Sequence, residues 1–338
     1  MRFGLAVPTG TEGMMYPIPY ADPAAAVDLA VQAERMGFDS VWGNDHISTQ
    51  GYVREKFSDP PRFYDPYLYL SYVGARTTTL RLATAISVMA FRHPVVVAKQ
   101  AATLDQLTGG RFMLGVGIGA YREEIDAMWP QHGLHRGRHA EEFFASLNVL
   151  LSERRASYSG EFISFSDVES FPKPVQSPLP LLSGGNARGS RERAARFGNG
   201  WIPACLTPSE ISDGVAEIRA VAEQSGRVLP ADFDVAPQLA VALGRTREQA
   251  LKTFEESQIF THMRSLSEST LKGRQDDLTE RNLIGSADDI LEQVQRYADA
   301  GTTTLSALLF AANDVPQTLE QMQEFAESII AVTGDGHA

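Results

Sequence analysis

Cysteine is nearly missing from this sequence: Cys205 is the single one among 338 residues. An intrachain disulfide and a cysteine-cluster metal site are thereby excluded, and the composition suits a reducing cytosol. Long apolar runs are missing too. No stretch approaches the roughly 18–20 residues that a membrane-spanning helix needs. The chain enters directly into Arg2-Phe3-Gly4-Leu5-Ala6-Val7-Pro8, which reads as a strand and has neither the apolar core nor the cleavage site of a signal peptide. A cytoplasmic protein without a membrane partner is expected. Positive charge is in deficit, with 30 Lys and Arg against 42 Asp and Glu and a net charge of −12. This argues against nucleic acid or an anionic membrane as the main partner, while leaving room for a local basic pocket around a phosphate. No G-x-S-x-G elbow and no P-loop occurs.

What is present is ordinary for a globular enzyme, 43% hydrophobic and 21% charged residues, in a length that suits one large α/β barrel or two ordinary domains. A strand, a loop and a helix recur along it. The strands read as Arg2 to Val7, Ser40 to Gly43, Leu80 to Val88, Arg111 to Gly117, Leu181 to Ser183, Gly200 to Ala204, Val235 to Leu243 and Thr304 to Phe310. Helix starts are marked by Asp22-Pro23, Asp65-Pro66, His93-Pro94 and the capping box Thr207-Pro208-Ser209-Glu210. Eight strand–helix pairs without an interdomain linker predict an α/β fold, a single (β/α)8 TIM barrel over residues 1–338. Insertions follow strands 2, 4 and 7, at residues 47–64, 155–178 and 258–282. The last, with Lys272, Arg274, Asp276, Asp277, Glu280 and Arg281, reads as a solvated helical excursion or a mobile lid. Tyr69, Val73, Leu104, Leu147, Leu150 and Ile290 are expected on the helix faces turned to the barrel.

The most informative stretch is Ser40-Val41-Trp42-Gly43-Asn44-Asp45-His46, a β-rich run ending in an acid beside an imidazole. In a parallel α/β protein the C-terminal ends of the strands are where ligands bind. Histidine is the side chain that exchanges a proton near neutral pH, and Asp45 could orient His46 or stabilise its charged form. Taken alone, the pair reads as a polar turn; its place after a strand favours chemistry. Gly115-Val116-Gly117-Ile118-Gly119-Ala120 matches a loose dinucleotide fingerprint, but the acidic residue such a site wants about 20 residues on is replaced by His135, Arg136 and Arg138. A Rossmann site is rejected, and a glycine turn beside a flat ring remains. Ser183-Gly184-Gly185-Asn186-Ala187-Arg188 precedes a helix start and reads as a phosphate loop, Gly184 and Gly185 offering backbone N–H groups and Arg188 and Arg191 adding charge. Ser87-Val88-Met89 either walls a ring or continues the core. His132, His135 and His139 have metal-like spacing, but Arg136 and Arg138 would repel a cation, so no metal is expected.

Together these motifs resemble the bacterial luciferase-like family of flavin- and deazaflavin-dependent oxidoreductases. The matching segments are Val41 to His46, Ala98 to Asp105, Gly109 to Gly117, Tyr121-Arg122-Glu123-Glu124, Gly184-Gly185-Asn186 and Arg193 to Trp201. The resemblance implies a TIM barrel with the ring at its C-terminal mouth and a catalytic histidine after strand 2, the place of His46, with Asp45 beside it. It implies a non-proline cis peptide bulge near Ser87-Val88. Cofactor contacts are expected from Ser87, Val88, Met89, Gly117, Gly119, Tyr121, Gly184, Gly185 and Asn186. The turn from Gly117 to Glu124 looks more like the subgroup assigned to coenzyme F420 than like the reduced-FMN monooxygenases. In the latter a tyrosine commonly follows the arginine that opens helix 4, whereas Gly137 follows Arg136 here. F420-dependent hydride transfer on a small organic substrate is therefore expected. The alternatives are an FMN-dependent monooxygenase using O2 with a separate flavin reductase, and a non-catalytic cofactor-binding or partner subunit. A homodimer is expected.

Overall fold

The computed structural model describes residues 1–130, 135–266 and 278–334. Strand β1 (Arg2–Val7) leads to helix α1 (Pro23–Arg35), and β2 (Ser40–Gly43) to α2 (Gly51–Lys56) and α3 (Pro66–Arg76). Strands β3 (Arg81–Thr84) and β4 (Ser87–Val88) precede α4 (Pro94–Leu107), and β5 (Phe112–Gly117) precedes α5 (Arg122–Met128) and α6 (Arg136–Ser152). An antiparallel hairpin of β6 (Ala156–Ser159) and β7 (Ser164–Val168) comes before β8 (Leu181–Gly184), α7 (Arg188–Phe197), β9 (Gly200–Ile202) and α8 (Pro208–Gln224). Then follow β10 (Asp234–Val235), β11 (Gln238–Leu243), α9 (Arg247–Glu255), α10 (Gln258–Ser265), β12 (Leu283–Gly285), α11 (Ala287–Asp299), β13 (Thr304–Phe310) and α12 (Val315–Phe325).

Local chemistry explains the helix starts. The side chains of Asp22 and Asp65 accept from the first-turn amides of α1 and α3, each with proline at the first helical position, where its missing N–H costs nothing. Thr207 and Glu210 form the reciprocal capping box of α8. Among the described residues no helix is long and apolar enough to cross a membrane.

The strands form a parallel sheet in the order β10-β9-β8-β5-β3-β2-β1-β13-β11-β12, with β4 also on β5. Its two ends meet, because β10 and β11 are one barrel strand interrupted at Ala236-Pro237. Proline has no N–H to give the ladder. On either side of it, Ala236 donates to Trp201 (2.8 Å) and Gln238 to Pro203 (2.8 Å), while Cys205 donates to Gln238 (3.0 Å). With β3 and β4 likewise one broken strand, eight barrel strands close and β12 lies outside on β11. The expected strand over Leu80 to Val88 is thus split, and the non-proline cis peptide joins Ala85 to Ile86, just before the expected place at Ser87-Val88.

Tyr69, Val73, Leu104, Leu147, Leu150 and Ile290 are all buried, as helical spacing predicts. The third insertion departs from expectation in part. Arg281 is not solvated: it is buried, donating to the Cys205 carbonyl and paired with Glu210. Lys272, Arg274, Asp276 and Asp277 lie outside the described residues, as does His132.

Candidate active site

The C-terminal strand ends are tied together by two asparagines with the same device. Asn44, just past β2, accepts from the Gly10 amide (2.8 Å) and donates to the Gly10 carbonyl (2.8 Å). Asn186, just past β8, accepts from the Ala204 amide (2.8 Å) and donates to the Ala204 carbonyl (2.8 Å). Each amide side chain zips one loop to its neighbour. The Asn186 side chain, expected at a cofactor, is therefore committed to the backbone.

Asp45 does not orient His46. It is buried, accepts from the Val88 amide at 3.0 Å, and forms a two-oxygen ion pair with Arg92, which also reaches Asp65 at 2.7 Å. Burial raises the Asp45 carboxyl, with Arg92 and the Val88 amide offsetting part of the effect. The role of this network is to hold β4 and the bulge before it. Tyr67 adds a bond from its hydroxyl to Ser87 Oγ (2.8 Å) and lies beneath the Arg92 guanidinium.

His46 is oriented instead by Glu124, from the first turn of α5. The imidazole Nδ1 lies 2.9 Å from Glu124 Oε2, while Oε1 accepts from the amides of Ile47 (3.0 Å) and Ser48 (3.3 Å). Burial raises this carboxyl, but the His46 contact and the two amides outweigh it and hold its pKa below the usual value. A carboxylate only accepts, so Nδ1 carries the proton and Nε2 is left for a reacting partner. Gln50 lies 3.1 Å from the same nitrogen. An Nδ1–H cannot accept, so Gln50 meets it through its amide oxygen, the two amide orientations having the same shape.

An aromatic wall rises on one side of His46. Phe63 and Tyr121 lie 5.4 and 5.7 Å from it, centroid to centroid. The Tyr121 hydroxyl contacts that of Tyr52 at 3.3 Å, and Tyr52 reaches His262 Nδ1 at 3.0 Å. Burial, reinforced by His46 and Lys56, pushes the His262 imidazole down to about 3, so it is neutral at any ordinary pH. Burial likewise raises the Tyr52 phenol to about 12. Residues of the first and third insertions therefore meet beside the histidine. Tyr121, expected at a cofactor, stands beside His46; Phe63, Tyr52 and His262 were not anticipated.

Three of the glycines make room for neighbouring side chains. A Cβ on Gly184 would sit 2.3 Å from Ile86 Cγ2, and one on Gly117 would sit 2.6 Å from Ile86 Cδ1. Both leave room for Ile86, the bulge residue, and Gly119 likewise leaves room for Val88 (2.9 Å). Ser87, Val88 and Met89 are buried, whereas Ile86 is partly open. Ile86 is thus the partly open apolar side chain of this segment. Gly185 does not offer a free amide, because its N–H donates to the Ile202 carbonyl at 2.9 Å. Among the described residues no side chain caps the first turn of α7, where the Ser190 amide already donates to the Ala187 carbonyl (2.9 Å) and those of Arg188 and Gly189 remain. Arg188 and Arg191 are occupied, by Glu192 and Glu217 respectively.

The chain matches the family described as luciferase-like monooxygenase over residues 1–304. It is 31% identical over 229 residues to an uncharacterized protein of Mycobacterium tuberculosis, covering 62% of this chain and 74% of that protein. It is 29% identical over 235 residues to an F420-dependent glucose-6-phosphate dehydrogenase of Nakamurella multipartita, covering 68% of this chain and 67% of the relative. Two solved structures share its fold. One is an F420-dependent secondary alcohol dehydrogenase with an F420–acetone adduct, with TM-score 0.77, 19% identity and 98% coverage of each chain. The other is the oxygenating constituent of 3,6-diketocamphane monooxygenase of Pseudomonas putida with FMN, with TM-score 0.73, 16% identity, and coverage of 97% of this chain and 98% of that one.

Proposed function

Because this chain belongs to the luciferase-like monooxygenase family and is an oxidoreductase of the flavin- and F420-dependent kind, we propose that it uses coenzyme F420 to oxidise or reduce a small organic substrate at the barrel mouth. The observation that carries this reading is the His46–Glu124 pair, whose geometry leaves Nε2 as an acid–base group. The likeness to an F420-dependent dehydrogenase favours the deazaflavin.

The residues present suit a flat ring with a phosphate tail. Ile86 supplies an apolar ledge, Gly117 and Gly184 bring bare backbone to its edges, and the uncapped start of α7 suits an anion. When bound, the deazaflavin supplies two-electron hydride chemistry. His46 Nε2 takes the proton from a substrate hydroxyl as its carbon is oxidised, and returns it in the opposite direction. Glu124 keeps Nδ1 protonated and balances the charge that forms on the ring. Phe63, Tyr121 and Tyr52 restrict water around His46, and the uncharged Tyr121–Tyr52–His262 chain suits a neutral polar substrate group.

The FMN reading rests on the family's monooxygenase members, one of which holds FMN in the same fold. Equilibrium titration of the purified protein with F420 and with FMN, followed by fluorescence quenching, tests the choice. Saturable quenching by F420, with FMN much weaker, is expected. The reverse order would replace the proposed cofactor.

A further inference from the structure

Gly10 lies just past the end of β1, beside Asn44, the first residue past β2. A Cβ added to Gly10 would meet His46 before anything else. It would sit 2.9 Å from His46 Cδ2 and 3.4 Å from the histidine's own Cβ, with Asn44 Oδ1 at 3.3 Å. Carbon–carbon contacts are optimal at about 3.5–4.0 Å, so the imidazole rests on bare Gly10 backbone with no room for a methyl group between them. The backbone itself does not demand glycine here, because Gly10 is outside the left-handed region. The missing Cβ serves the histidine.

That surface is held in place. Asn44 accepts from the Gly10 amide and donates to its carbonyl, each at 2.8 Å. The Thr9 hydroxyl lies 2.8 Å from both the backbone and the side-chain oxygen of Asn44, and the Thr9 carbonyl accepts from the Tyr64 amide at 2.7 Å. On the opposite edge of the ring, Nδ1 meets Glu124 at 2.9 Å and Gln50 at 3.1 Å. A bond at Nδ1 alone would leave the imidazole free to pivot about that atom. The contact at Cδ2, the atom bonded to Nε2, removes the pivot.

We infer that Gly10, clamped by Asn44, is a positioning residue that fixes the Nε2 edge of His46. Its effect on rate rests on the reading of His46 as the acid–base group; its effect on the ring's position does not. Gly10→Ala forces the ring edge back by about half an ångström. A misplacement of about 1 Å can cost roughly 100-fold. Anaerobic kcat with F420 and a panel of small secondary alcohols should therefore fall roughly 10-fold, with KM and F420 affinity kept within about threefold. In NMR of nitrogen-labelled histidine, the His46 Nδ1 proton should shift and exchange with solvent roughly 10-fold faster, as its bond to Glu124 lengthens. Asn44→Ala releases Gly10 without adding an atom and should speed the same exchange, which keeps the test open should Gly10→Ala not fold. Gly10→Ala should cost less in the Asn44→Ala background than in wild type, because the loop can then withdraw. An unchanged Nδ1 signal and rate in both variants would overturn the proposal. So would equal costs of Gly10→Ala in the two backgrounds, or rate, melting temperature and F420 affinity falling together, since a merely structural glycine gives those results. If wild type turns over none of the panel, or His46→Asn keeps the full rate, the functional reading of His46 fails and the Nδ1 signal alone decides the position.

Discussion

Replacing Glu124 by glutamine leaves the volume of the side chain almost unchanged and inverts its hydrogen-bonding character at one atom. Oε1 already accepts from Ile47 and Ser48, and the amide oxygen of glutamine can keep both bonds. The other end, which faces His46 Nδ1 at 2.9 Å, becomes a donor. Two donors cannot face each other, so the imidazole moves its proton to Nε2 and loses the lone pair it needs as a base. The charge that balanced the protonated ring disappears too. An acid–base group is worth about 100- to 10,000-fold in rate, so kcat should fall within that range, while Kd for the cofactor should change by less than about threefold, well under one order of magnitude. Loss of one charge-assisted bond at a nearly buried carboxylate should cost roughly 1.5–3 kcal/mol of stability. Steady-state kinetics, cofactor titration and nitrogen NMR of labelled histidine read the three effects separately. A full-rate variant, or one whose rate and cofactor affinity fall together, would refute the assignment of Glu124 as the group that sets the His46 tautomer.

Gly184→Ala should push Ile86 off its place, costing about 1–3 kcal/mol as overpacking does, and Ile86→Ala in the same chain should relieve it; urea melts of the two single variants and the double variant form the cycle that checks this. Stability should also fall in acid through two groups. The Glu124 carboxyl titrates lower in the folded chain than in the unfolded one, so its contribution is complete above the ordinary carboxylate pKa and disappears as pH falls through its lower folded value. His262 is held near 3 when folded against the ordinary 6.5, so the unfolded chain binds the extra proton and stability declines from about pH 6.5 downward. His262→Gln should flatten the decline between pH 6.5 and 4 in denaturation profiles, and an unchanged slope would show that the imidazole is solvated.

Strands, helix starts and buried helix faces were legible because their signals are local. Proline after aspartate marks the start of α1, and the spacing of Leu147 and Leu150 marks the inner face of α6. His46 was legible as a strand-end histidine. Its partner was not: Asp45 is next in sequence, but adjacent side chains leaving a strand point to opposite sides, and Asp45 goes down to Arg92. Glu124, 78 residues away, arrives through α5, a short helix whose Tyr-Arg-Glu-Glu start was visible only as a motif without a role. The glycines were legible only as signs of close approach. A missing Cβ signals close approach, but sequence does not say of what, and at Gly117 and Gly184 the neighbour is Ile86. Gly185 was read as an amide donor, yet its N–H is spent on the sheet.

The central claim is a hydride-transferring site in which His46 moves the proton. It is tested most directly by incubating the protein with F420 and a panel of small alcohols, aldehydes and ketones under strict exclusion of O2, following deazaflavin absorbance for wild type and His46→Asn. The account predicts turnover without O2 that drops by about 100-fold or more in His46→Asn while F420 affinity is kept. Product formed only with O2 and reduced FMN, or equal anaerobic rates for the two proteins, would contradict it.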